Sequence, residues 1–133
     1  MKQRTITLTG RPPVKINEET WPVIASAADE ASGDDWTSKW FVGVRQHEDG
    51  RAIVYATYSF KTNWPNVKDI YIKRGVLLDE ATTAKIVHAI ESVCMDISTA
   101  DHNKSTKYMG DDSSNWVALS HQCIASLPAE ELA

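Results

Sequence analysis

Residues 45–55 read RQHEDGRAIVY, and seven positions bring together Arg45, His47, Glu48, Asp49 and Arg51. A histidine among carboxylates and guanidinium groups is the material of general acid–base catalysis or of metal ligation. Both chemistries need side chains that converge on one point. Adjacent residues on a strand point to opposite faces, so His47 and Glu48 are poorly placed to share a ligand if strands flank them. The elements that hold this stretch therefore decide what it can do.

Its context is SKWFVGVRQHEDGRAIVYATYSF, residues 38–60. With a loop of Asp49-Gly50 alone, Val44 faces Tyr55, Val42 faces Thr57 and Trp40 faces Ser59, a mixed surface. With a loop of Glu48-Asp49-Gly50, and Gly50 left-handed, Val44 faces Val54, Val42 faces Ala56 and Trp40 faces Tyr58. One face then becomes almost wholly apolar, and the other carries Arg45, His47, Arg51 and Thr57. Burial of one face sets register, and a three-residue loop is a recognised hairpin class. The cluster is expected to be a hairpin tip with its charges on the solvent face.

The remaining candidates are sparse. His88 precedes Cys94 by six positions and His121 precedes Cys123 by two. Neither spacing puts a pair on one helix face, and neither shows the recurring ligand pairs of structural zinc. No local nucleophile signature surrounds either cysteine, and there is no P-loop or dinucleotide fingerprint. The sequence predicts no catalytic residues, no cofactor and no metal. Both cysteines sit in apolar helical patterns and read as buried free thiols.

The chain has 133 residues and a mass of 14.8 kDa, which fits a single globular domain over 1–133. Folding would leave roughly 7,000 Å² exposed of roughly 21,000 Å² in the unfolded chain, enough for a core without disulfides. A net charge of −4 and a pI near 5.5 disfavour non-specific nucleic-acid binding. The N-terminal MKQRTITLTGRPP has no apolar stretch of the secretory kind. No apolar run approaches the roughly 20 residues that span a bilayer. A cytoplasmic location without a membrane is expected, and the oligomeric state is left open.

Along the chain, RTITLTG alternates as a strand does. Pro12 and Pro13 mark an edge or turn into a short strand. Asn17 or Thr20 is a helix cap for PVIASAADEA, with Val23, Ile24 and Ala27 as its buried stripe. Residues 32–37 read as a loop, 61–67 as another, and KDIYIK at 68–73 as a strand. A helix capped by Asp79 carries Ile86, Val87, Ile90, Val93, Cys94 and Ile97 at helical spacing. Residues 98–114 are polar, and a last helix from near Ser114 offers Trp116, Leu119, Cys123, Ile124 and Leu127. The expected fold is α+β: a small antiparallel sheet with a central hairpin at about 38–60, covered on one face by about three helices.

The chain holds five tryptophans. Trp40 and Trp116 fit core stripes, and Trp36 follows Asp34 and Asp35. Trp64 lies in the polar loop NWPN, and Tyr108 precedes Asp111 and Asp112. Aromatic residues are enriched at interfaces, and acidic neighbours suit a basic partner. Trp64, Tyr108, Asp111 and Asp112 are the expected partner contacts. Alternatively, Arg45, Arg51, Lys61, Lys68 and Lys73 form a basic strip for nucleic acid.

ITLTGRPPVKINEETWPVIASA (6–27), VRQHEDGRAIVYA (44–56) and the tail CIASLPAEELA (123–133) together resemble a family of small uncharacterised proteins carried on bacterial plasmids and prophages. That family shows a TLT-x-R-P-P-V opening, a W-P-x-I-A segment and an R-x-H-x-D-G-R-x-I-V-Y hairpin. Residues 60–115 lie outside the likeness. The resemblance implies an accessory protein of a mobile element that binds a host protein or protein–nucleic acid complex. An inhibitor of host defence, of anti-CRISPR or anti-restriction type, is one such role, and a nucleic-acid-binding or regulatory protein of the element is the alternative.

Overall fold

The computed structural model describes residues 2–101 and 113–129. In chain order the elements are β1 (Gln3–Ile6), β2 (Val14–Asn17), β3 (Val23–Gly33), β4 (Trp36–Gln46), β5 (Ala52–Thr62), β6 (Ile70–Leu78), α1 (Thr83–Asp101) and α2 (Ser113–Ala125). β3 to β6 form a four-stranded antiparallel meander in sequence order, and β1 pairs with β2 as a separate antiparallel ribbon. No described helix is long and apolar enough to cross a membrane.

The central hairpin has the three-residue register. Trp40 pairs with Tyr58, Val42 with Ala56 and Val44 with Val54. The Gly50 N–H donates to the His47 carbonyl, and the His47 N–H donates to the Arg51 carbonyl. Gly50 has φ of +96°, the left-handed conformation that the turn requires.

The expected cover of about three helices is not found. Six strands and two helices are present among the described residues, and the stretch expected as the first helix is the eleven-residue strand β3. Its cap signal is real but local. Asn17 Oδ1 accepts the Glu19 N–H, and the Asn17 carbonyl accepts those of Thr20 and Trp21. Pro22 then follows, and the chain extends. Alanine favours helix by intrinsic propensity, but Ala25 and Ala27 are buried and Ser26 and Ala28 exposed, the period of a strand. Pairing with β4 over Val23–Gly33 overrides the weak local preference. The expected loop at 32–37 shrinks to the two-residue turn Asp34-Asp35, because Gly33 pairs with Trp36.

Two smaller boundaries also move. β6 continues to Leu78, so Asp79 caps nothing. Thr82 starts α1 instead: its Oγ1 accepts the Lys85 N–H and its carbonyl accepts the Ile86 N–H.

Both faces of the meander are used. On one, Trp40, Val42, Val44, Val54, Tyr58 and Phe60 pack under Ile86, Ile90, Val93 and Ile97 of α1 and Trp116, Leu119 and Cys123 of α2. On the other, the β1–β2 ribbon lays Ile6, Leu8, Ile16 and Trp21 over Ile53 and Tyr55. The ribbon covers only the half of that face near the hairpin tip. Lys39, Lys61, Tyr71 and Lys73 stay exposed on the other half.

Candidate functional site

The charged stretch 45–51 divides into a buried clasp and an exposed tip. Arg45, expected on the solvent face, is only 7% exposed. Its Nε donates to the Tyr55 hydroxyl at 3.1 Å and its Nη1 to the Trp21 carbonyl at 3.0 Å. Glu18 Oε1 stands 3.8 Å from Arg45 Nη2 and 2.6 Å from Arg4 Nε. Hydrogen bonding from Arg4 holds the Glu18 carboxyl below the usual range and raises the Arg4 guanidinium. The sequence left this clasp unseen because Trp21 and Glu18 lie more than twenty residues away in the chain, next to the ribbon.

At the tip, Asp49 accepts from both the backbone N–H and the Nε of Arg51. Those bonds hold its carboxyl below the usual range, the backbone one most strongly. Trp21 fills the space beside them, its ring 5.0 Å from that of His47 and 5.1 Å from the Arg51 guanidinium carbon. His47 Nδ1 accepts the Asp49 N–H at 3.1 Å. These residues close a turn and seat the ribbon, and a groove of about 520 Å³ lined by Glu19, Thr20, Gln46, His47 and Glu48 opens beside them.

The cysteines are buried between the two helices and the sheet. Burial pushes Cys94 to about 12, with a lesser contribution from nearby Cys123, and burial pushes Cys123 to about 11. A nucleophilic cysteine needs a depressed value, so neither is activated. His88 and His121 are exposed. No group of three histidine, cysteine, aspartate or glutamate side chains fit to hold a metal occurs among the described residues.

Of the four expected partner contacts, Tyr108, Asp111 and Asp112 lie outside the described residues. Trp64 is half-buried, its ring 6.0 Å from that of Phe60, and it packs against the main core. Its backbone N–H donates to Thr62 Oγ1 at 3.0 Å.

Two other surfaces are open. On the helical side, Met95 stands 72% exposed on α1 between two grooves. One, about 800 Å³, runs between β6 and α1 along Val76, Leu78, Ala89 and Val93. The other, about 300 Å³, lies between α1 and α2, with Val117 at its lip. On the sheet side, Tyr71 is 58% exposed among lysines of three strands. Sequence reading passed over Met95 because it falls off the apolar stripe of α1. It passed over Tyr71 because strand alternation places it opposite the buried Ile72.

Compared with protein-family models, curated proteins and solved structures, the chain finds no match.

Proposed function

We propose that this chain is a non-catalytic accessory protein of a bacterial mobile element. It acts in the host cytoplasm by docking on a host protein or protein–nucleic acid complex. The likeness of three sequence stretches to plasmid and prophage proteins supports the setting. Inhibition of a defence complex, of anti-CRISPR or anti-restriction type, is the activity that the setting suggests.

The observation that carries the docking reading is the exposed apolar crest of α1. Met95 separates two grooves, and Val117, 55% exposed, extends the apolar surface onto α2. Exposed apolar surface of this kind marks interaction sites. Methionine adapts its shape to a partner. Glu91 lines the smaller groove and favours a basic group on the partner there, whereas Asp96 in the larger groove already pairs with Arg74 at 3.4 Å. Tyr108, Asp111 and Asp112, in the segment that joins α1 to α2 in sequence, are proposed as further contacts. Trp64 adds a half-buried indole.

Tagged wild-type protein and Met95→Glu are compared in capture from nuclease-treated bacterial lysate. The expected result is one host protein retained in stoichiometric amount by wild type and lost by Met95→Glu. Asp111→Ala combined with Asp112→Ala should weaken the same capture. Equal retention by every variant, or no retained host protein, overturns the proposal.

A further inference from the structure

The part of the sheet that the ribbon leaves uncovered has a charge unlike that of the whole chain. Strand alternation and register define its rows. Glu30, Lys39, Ser59 and Tyr71 lie side by side across β3 to β6. Phe41, Thr57 and Lys73 form the next row toward the ribbon, and Thr37 and Lys61 the next row away. Lys39, Lys61 and Lys73 are all exposed and come from three different strands. Lys73 is two residues along β6 from Tyr71, Lys39 lies two strands away in its row, and Lys61 Nζ sits 6.0 Å from the centre of its ring. At ordinary strand spacings the patch spans roughly 10 Å across the strands and 13 Å along them. The acid of this patch, Glu30, lies on the edge strand β3. The acids Glu91 and Asp96 stand on the opposite, helical side. A chain of net charge −4 thus carries a local lysine cluster on this face, with Asp34 and Asp35 in the turn beyond Thr37 and Asp69 accepting the Thr62 N–H beside Lys61.

We infer that this open sheet face binds single-stranded nucleic acid, with Tyr71 stacking on a base and Lys39, Lys61 and Lys73 meeting the flanking phosphates. Charge complementarity selects a polyanion. A flat sheet with a raised aromatic ring selects unpaired bases, since stacking on a tyrosine needs a base face that a duplex hides. Thr37, Thr57 and Ser59 supply hydroxyls between the lysines, within reach of sugar or phosphate oxygens. The patch is separate from the helical crest, so the inference stands independently of the docking proposal. A protein–nucleic acid complex would offer a surface to each side.

The test is fluorescence anisotropy of the purified full chain with labelled oligo-dT and oligo-rU of about 20 nucleotides, longer than one sheet can cover. Saturable binding is expected at low salt. Three phosphate contacts give a log–log salt slope near −2, so affinity should fall about twentyfold between about 50 and about 200 mM salt. Tyr71→Ala should weaken binding roughly 5- to 150-fold, and Tyr71→Phe, which keeps the stacking ring, should restore it. Lys61→Gln should flatten the salt slope by about one phosphate's share. All three side chains are exposed, and circular dichroism checks that each variant is folded. Absence of saturable binding at low salt overturns the inference. So does binding indifferent to Tyr71→Ala, or a duplex of equal length bound as tightly as the single strand.

Discussion

Thr9 and Gly75 exchange two hydrogen bonds at the outer edge of β6. The Thr9 N–H donates to the Gly75 carbonyl at 2.8 Å, and the Gly75 N–H donates to Thr9 Oγ1 at 3.1 Å. The other edge of the sheet is held in a similar way. The Ser26 N–H donates to Ser126 Oγ at 3.3 Å, and that hydroxyl gives its own proton to the Cys123 carbonyl at 2.8 Å, which fixes it to the end of α2. Each edge strand is occupied at one point by a hydroxyl residue distant in sequence, which blunts its capacity to recruit another strand. The contact at Gly75 is close enough to exclude a side chain, because an added Cβ would overlap the Thr7 carbonyl oxygen. Gly75→Ala should therefore cost about 1–3 kcal/mol and raise light scattering of the native protein. Unchanged stability in urea, with unchanged scattering, would refute this role.

Arg45 should prove structural. Its two donors serve Tyr55 and Trp21, which belong to different layers. Arg45→Met leaves both acceptors unserved and Glu18 without its second cation, at a cost of about 1.5–3 kcal/mol. Arg45→Lys should recover little, since one ammonium cannot reproduce the guanidinium's forked geometry. The urea midpoints of the two variants measure this, and a full rescue by lysine would contradict it.

Acid should loosen the ribbon and the hairpin tip together. Glu18 and Asp49 have depressed carboxyl values in the folded chain. Such a group stabilises the fold fully above its unfolded value, and the contribution disappears as pH falls through the folded one. The loss should therefore begin below roughly pH 4. Near-ultraviolet dichroism, which reports Trp21 and Tyr55, should change there. Glu18→Gln should abolish the part of that change due to the Arg4 pair.

The thiols should be silent in the native protein. With Cys94 near 12 and Cys123 near 11, the thiolate fraction at pH 8 is on the order of one part in a thousand or less. A disulfide-exchange reagent should label neither cysteine in the folded chain and both in urea. Rapid native labelling of either residue would show that its site opens.

The sequence revealed the elements whose signals are local. The register of β4 against β5 follows from burying Trp40, Val42 and Val44 on one face, and the buried stripe of α1 follows from residue spacing. It misled where a local signal was true but did not propagate. Asn17 caps a turn that Pro22 and the pairing of β3 then end. It was silent on long-range partners: nothing near Arg45 announces that Trp21, Tyr55 and Glu18 will enclose it. The candidate surfaces were poorly legible for a related reason. Met95 and Tyr71 look like misplaced apolar residues until the packing shows that nothing covers them, whereas Trp64, prominent in its polar loop, turns inward toward Phe60.

The most direct test of the docking account is amide hydrogen exchange of this protein, free and saturated with the host protein it captures. Protection is predicted in α1 around Glu91–Thr99 and at the start of α2 near Val117. Capture of a host protein that leaves those amides unchanged, with protection falling elsewhere, would contradict the account.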